Sequence, residues 1–237
     1  MTLPERVFIE SEPDLVLRKQ HLARYEFAST LVRNKRVLDV ACGSGYGTAM
    51  LAESGAASTI GMDISDECVK YAKEHHRAAG IIFITGNGED LSSLEQLDVV
   101  VSFETIEHLH NPEKFLNELR RILGDNGVLV ISTPIRQVGR LGDEPTNPFH
   151  LREWSSSEFN MLLSRYFGDV KLSFQFGFRK MWFPYSRTFW RSTARLLHPK
   201  TFEDFVEYRV CNSSPGMLGV AIWREYVVAV CTSRPRR

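Results

Sequence analysis

The sequence predicts an α/β protein: one domain, residues 1–237, on a mostly parallel, seven-stranded sheet with helices on both faces. Three observations carry this. Seven short apolar runs, most of them rich in β-branched residues, alternate with longer segments of helical period, the pattern of strands joined by crossover helices. A glycine-rich turn follows the first run and opens a helix. At 237 residues and 43% hydrophobic, the chain can bury one substantial core but is short for two domains.

The elements follow in order. A helix is expected at Lys19–Val32, then a strand at Arg36–Ala41, a helix at Tyr46–Glu53 and a strand at Ser58–Asp63. A helix at Asp66–Ala78 starts from a Ser65 cap and leads to a strand at Ile81–Gly86. After a strand at Asp98–Phe103, Asn111 and Pro112 place a cap and a first-turn proline before a helix at Pro112–Leu123, which Gly124 and Gly127 should close before a strand at Val128–Thr133. The stretch to Pro148 is polar and irregular, and long enough to be a substrate-covering loop near 134–150. Ser155–Phe167 reads as helix, and Val170–Phe176 and Tyr226–Thr232 as strands. Between those strands lies an aromatic and basic insertion near 177–212, and the tail Ser233–Arg237 is expected to be disordered.

Composition excludes several classes. Twenty-nine basic residues balance 29 acidic ones, so no global field attracts nucleic acid or an anionic membrane, and no DNA partner is expected. Cys42, Cys68, Cys211 and Cys231 are far apart, which argues against a disulfide framework or a thiolate zinc site and fits a reducing cytoplasm. Neither a leader-like N-terminus nor a run of about 18 apolar residues is present, so a cytoplasmic protein without a membrane span is expected.

The glycine turn is the first chemical signal. Val37-Leu38-Asp39-Val40-Ala41-Cys42-Gly43-Ser44-Gly45-Tyr46-Gly47 places three alternating glycines between strand and helix, where the backbone can approach a ligand closely. The G-x-G-x-x-G spacing of a pyrophosphate cradle is not met, because Thr48 follows Gly47. The run resembles the first motif of class I S-adenosylmethionine (SAM)-dependent methyltransferases, which have a Rossmann-like fold. The resemblance implies that Asp39 faces the amino-acid end of SAM and that Gly43 and Gly45 shape the turn beneath it. It further implies that Asp63 accepts hydrogen bonds from the ribose hydroxyls and that Asn87 reads the adenine amino group, where aspartate is commoner. Ile64, Gly88, Glu89 and Phe103 are placed with them as cofactor contacts. Tyr25 is placed there too, although it and Arg24 read equally as helix packing.

The second signal is Glu104-Thr105-Ile106-Glu107-His108, after the fourth strand. One helical turn would bring two carboxylates and an imidazole onto one face, a donor set that favours Mg²⁺ or Mn²⁺ over structural zinc. These residues also read as cofactor-positioning or loop-solvating groups. With His150 in Pro148-Phe149-His150-Leu151-Arg152-Glu153-Trp154, the cluster resembles that of the small-RNA 3′-terminal 2′-O-methyltransferases and, more loosely, of ubiquinone-biosynthesis O-methyltransferases. That resemblance implies metal ligation by Glu104, Glu107, His108 and His150. A metal would lower the pKa of an acceptor hydroxyl and orient it for attack on the sulfonium methyl, which favours O-methylation with Glu107, His108 and His150 as the catalytic set. Without a metal, His108 or His150 becomes the general base. His150 also reads as a helix cap or substrate contact.

The segment His21-Leu22-Ala23-Arg24-Tyr25-Glu26-Phe27-Ala28 is similar to one in bacterial methyltransferases of sugar and polysaccharide assembly, and the enzymes that methylate methylmannose polysaccharides are one specific candidate within that resemblance. A hydroxyl of a sugar or oligosaccharide is therefore the leading acceptor; a quinone, a phenolic small molecule and an RNA 2′-hydroxyl are the alternatives. The segment Phe178–Arg191 reads as acceptor specificity, a packing arm, a homodimer contact, a peripheral membrane contact or an RNA surface. Two other classes compete: an NAD-dependent oxidoreductase, sharing the turn and Asp63, and a non-catalytic SAM-binding module, in which the Glu/His cluster would not converge.

Overall fold

The computed structural model describes residues 15–136, 145, 147–179, 206–211 and 222–233. In chain order these form α1 (Leu15–Ser29), β1 (Arg36–Val40), α2 (Tyr46–Glu53), β2 (Ser58–Asp63), α3 (Asp66–His75), β3 (Ile81–Thr85) and β4 (Leu97–Phe103). A 3₁₀ turn (Ile106–His108) leads to α4 (Pro112–Ile122), β5 (Leu123–Pro134), α5 (Ser156–Ser164), β6 (Asp169–Arg179), β7 (Val206–Cys211) and β8 (Ile222–Thr232).

Helix starts are fixed by side chains that satisfy otherwise unpaired N–H groups. The Cys68 amide donates to Ser65 and the Lys114 amide to Asn111, as expected. At α5 a reciprocal capping box links Ser155 and Glu158. The α4 end differs from expectation. Gly124 and Gly127 do not close the helix, because Leu123 is already extended and the chain runs straight into β5. The pairing jumps from Leu97↔Leu123 to Val99↔Val128, so the two glycines lie in a bulge.

The strand order is β3-β2-β1-β4-β5-β8-β6-β7. Strands β1 to β5 pair in parallel, and β8 inserts antiparallel between β5 and β6. All seven expected strands are present, and β7 adds an eighth at the β6 edge: Val206-Glu207-Tyr208-Arg209-Val210 alternates apolar and charged residues, the period of a strand, within the segment expected as an insertion. Order reverses at β1, with β2 on one side and β4 on the other, which opens a crevice at the strands' carboxyl ends.

The period of two sorts side chains between two layers. Val37, Val99, Val101, Phe103, Val130 and Val228 pack with Tyr25 and Ala28 of α1 and Leu51 of α2. Leu38, Val100, Leu129, Ile131, Val227 and Ala229 face the other way, against Phe115 and Leu119 of α4 and Phe159 and Leu163 of α5. Truncating the fully buried Phe115 to alanine would cost about 3–5 kcal/mol.

Cys42, Cys68 and Cys231 are buried thiols without disulfide partners. No helix among the described residues is long and apolar enough to cross a membrane. Ser233, expected as part of the disordered tail, is instead buried, its amide donating to the Gly127 carbonyl at 2.9 Å. Residues 137–144 and 146 of the expected covering loop, 180–205 and 212 of the insertion, and 234–237 of the expected tail lie outside the described residues. With them go most of Phe178–Arg191 and the homodimer, membrane and RNA readings attached to it.

Candidate functional site

The crevice at the switch point holds a cavity of about 420 Å³ between the ends of β1, β2 and β4. Of the expected cofactor contacts, Gly43, Asp63, Ile64, Phe103 and Tyr25 line it, and so do Glu104 and His108. Gly43 has φ +55° and no atom within 4 Å of where a Cβ would be, leaving room for a ligand against the backbone. Gly45 has φ +85°, and a Cβ there would come within 2.6 Å of Ala72 Cβ, so its glycine serves the packing of α2 on α3. Asp63 fixes the turn: one carboxylate oxygen accepts from the Gly43 amide and the other from the Ser65 amide, both at 2.9 Å.

Asp39 does not reach the cavity wall. It is fully buried on the α1 side of β1 and accepts from the hydroxyls of Thr48 at 2.7 Å and Tyr25 at 3.2 Å. Tyr25 is the residue that lines the cavity, packed edge-on against Phe103 and Tyr46. Burial pushes the Asp39 carboxyl up to about 7, with the two hydroxyls opposing and the Asp63 charge adding to the rise. Asn87, Gly88 and Glu89 also stand off the cavity; the Asn87 side chain accepts from the Glu89 amide, closing a local turn.

The second constellation converges from two distant segments. Carboxylate or imidazole atoms of Glu107, His108 and His150 lie within 4.8 Å of one another. Local folding explains this: the Glu107 carbonyl accepts from the Leu151 and Arg152 amides, docking the segment around His150 onto the 3₁₀ turn. The segment is pinned again where Ile135 bridges to Trp154 and the Arg136 amide donates to the Trp154 carbonyl. His108 Nδ1 donates to the Phe149 carbonyl at 3.0 Å, and His150 Nδ1 to the Glu153 carboxylate at 2.9 Å. Both bonds put the proton on Nδ1 and the lone pair on Nε2, the arrangement a metal-ligating histidine needs. Asn147 donates to His150 Nε2 at 3.2 Å, so a cation would displace that amide.

Glu107 is fully buried; one oxygen accepts from Thr133 at 3.2 Å, and the other has no hydrogen-bond partner. Burial, and then the neighbouring Glu104 charge, push its carboxyl well above the usual range. A buried carboxylate oxygen without a donor is costly, and a cation among these three residues would satisfy it. Glu104, the expected fourth ligand, stands outside the group; its carboxylate lies 3.7 Å from Arg24 Nη2 and receives a hydrogen bond from Tyr226.

Several participants were not singled out from sequence. Glu153 was legible in principle, three residues after His150. Thr133, Tyr226 and Gln175 come from strands where a polar residue reads as ordinary alternation. His21 lines the cavity and bonds through Nδ1 to the Tyr46 hydroxyl at 2.9 Å; burial, then the Arg24 charge, hold it well below the usual imidazole range.

Comparison with known proteins bears on this geometry. Residues 38–131 match the model of a methyltransferase domain family. A Mycolicibacterium smegmatis protein described as a "probable S-adenosylmethionine-dependent methyltransferase" is 34% identical over 147 residues, 61% of this chain and 56% of that one. A ubiquinone biosynthesis O-methyltransferase of Azorhizobium caulinodans is 31% identical over 110 residues, 45% of this chain and 43% of that one. The chain thus spans about half the length of the curated relatives it matches. A Thermotoga maritima SAM-dependent methyltransferase structure superposes with a TM-score of 0.61 at 19% identity, over 93% of this chain and 92% of that one. The fold is that of class I SAM-dependent methyltransferases.

Proposed function

We propose, proceeding from the methyltransferase domain in residues 38–131, that this chain is a SAM-dependent O-methyltransferase assisted by a divalent metal. The observation that carries the metal reading is the unpartnered, buried oxygen of Glu107 beside His108 and His150.

The cavity fits the cofactor. Asp63 offers carboxylate oxygens for vicinal hydroxyls, Ile64 supplies an exposed apolar surface for a purine, and the open backbone at Gly43 leads toward Tyr25 and Phe103. SAM supplies an electrophilic methyl on sulfonium, and a divalent ion lowers the pKa of a coordinated hydroxyl. The protein's own contribution is placement. Glu107, His108 and His150 hold the ion, Glu153 fixes the His150 tautomer, and Phe103 and Tyr25 separate the cofactor pocket from the hydrophobic layer. On transfer the acceptor oxygen would gain the methyl, the carbon–sulfur bond electrons would stay on sulfur as S-adenosylhomocysteine, and the acidified hydroxyl proton would pass to solvent water. Either histidine would take that proton if turnover is indifferent to metal.

The favoured acceptor is a sugar or oligosaccharide hydroxyl, because a 1,2-diol can chelate the ion through both oxygens. A phenolic or quinone-type acceptor is the second reading. It is favoured by Phe149 and Leu151, each half exposed on either side of His150, and by the ubiquinone-pathway relative.

The test is calorimetric titration with SAM, followed by methyl transfer from labelled SAM to a panel of sugars and catechols. Micromolar SAM binding with labelled sugar product supports the leading reading, and catechol labelling alone supports the second. Failure to bind SAM overturns both.

A further inference from the structure

Arg24 is fully buried and tightly placed. Its Nη1 donates to Gln175 at 2.7 Å, and Gln175 is itself committed, donating to the Gln20 carbonyl at 2.9 Å. The guanidinium carbon lies 4.3 Å from the centre of the Tyr226 ring. Its Nε and Nη2 have no hydrogen-bond acceptor, and the anion it meets is Glu104, at 3.7 Å. A buried cation of this kind is retained at a cost unless an anion is held opposite it.

Glu104 is held there from several sides. It occupies the left-handed region with φ +51°, which a non-glycine residue seldom adopts, and it accepts from Tyr226 and, at 3.5 Å, from Ser132. Glu107 accepts from Thr133 instead. Ser132 and Thr133 are consecutive on β5 and therefore point to opposite faces of the sheet. Arg24, Gln175, Tyr226 and Ser132 share the face that carries α1, whereas Thr133 lies on the face that carries α5. The two carboxylates are sorted by sheet face.

We propose that Arg24 is a positioning residue that keeps Glu104 out of the metal's ligand set, holding that carboxylate on the α1 face of the sheet and leaving Glu107, His108 and His150 as a two-nitrogen, one-oxygen site. This rests on the metal-assisted reading above. Its consequence is selectivity. With one carboxylate and two imidazoles, the site suits Mn²⁺ and other imidazole-accepting ions better than Mg²⁺, which the oxygen-richer four-residue set would favour.

The test is Mn²⁺ titration of the chelator-treated full chain, following the loss of the free-ion signal by electron paramagnetic resonance, with Mg²⁺ as competitor. Glu104→Gln should leave the Mn²⁺ Kd within about twofold, while Glu107→Gln weakens it by about tenfold or more. Arg24→Gln should release Glu104 and make Mg²⁺ a better competitor, and Arg24→Lys should restore the wild-type pattern. Because loss of Arg24 can unfold the chain, Glu104→Gln decides alone: a tenfold loss of Mn²⁺ affinity in that variant overturns the proposal while leaving the metal reading intact. A wild-type protein that binds no Mn²⁺ overturns the metal reading itself, and this inference with it.

Discussion

His150 donates from Nδ1 to the Glu153 carboxylate at 2.9 Å, and both side chains are almost completely buried. The pair fixes which nitrogen of the ring faces Glu107 and His108. Glu153→Gln keeps the shape but replaces the charged acceptor with an amide that can present either end. The Mn²⁺ Kd is expected to rise about tenfold with SAM affinity unchanged. Equal metal affinities in variant and wild type would remove Glu153 from the site.

Asp63 is expected to act on the other ligand. Its carboxylate both holds the Gly43 amide and offers oxygens to the cavity. Asp63→Ala should weaken SAM binding by about 100-fold, the scale of losing two hydrogen bonds to a charged group, and leave Mn²⁺ binding unaffected. Calorimetry with each ligand in turn separates the two effects.

Stability should carry the signature of Asp39. Its folded carboxyl titrates near 7 against 3.8 in the unfolded chain, so the folded state holds the proton more tightly. That contribution is fully present below about pH 4 and is lost as pH rises through 7. Asp39→Asn, which imitates the protonated form, should melt about 10 °C above wild type at pH 8, and the gap should close only as pH falls to about 4. A gap independent of pH would show that Asp39 is charged throughout.

Gly45→Ala tests the glycine turn as structure. With φ +85° and Ala72 2.6 Å from the added methyl, the variant should lose about 3 kcal/mol, read as a fall in Tm of about 10 °C. A change of about 2 °C or less would mean that α2 and α3 separate at little cost.

Much of this was legible in the sequence because it depends on local periodicity. The five parallel strands, the Ser65 and Asn111 caps, and the grouping of Glu107 with His108 follow from spacing along one segment. Only the resemblance joins His150 to them, and the structure supplies the reason, in the amides that dock Leu151 and Arg152 on Glu107. Tertiary choices were not legible. A buried Arg24 and a solvated one look alike in a helix, and nothing in the sequence says which sheet face receives Glu104. Asp39 stands behind Tyr25 because of how α1 packs across β1, and the bulge at Gly124 and Gly127 arises from pairing with β4.

The most direct test of the central claim is the initial rate of methyl transfer from SAM to the accepted hydroxyl by chelator-treated enzyme, before and after adding Mn²⁺ or Mg²⁺, in wild type and His150→Ala. The account predicts a wild-type rate that falls at least 100-fold on metal removal, returns with the ion, and is not recovered by His150→Ala. Undiminished turnover in the chelator-treated protein would contradict it.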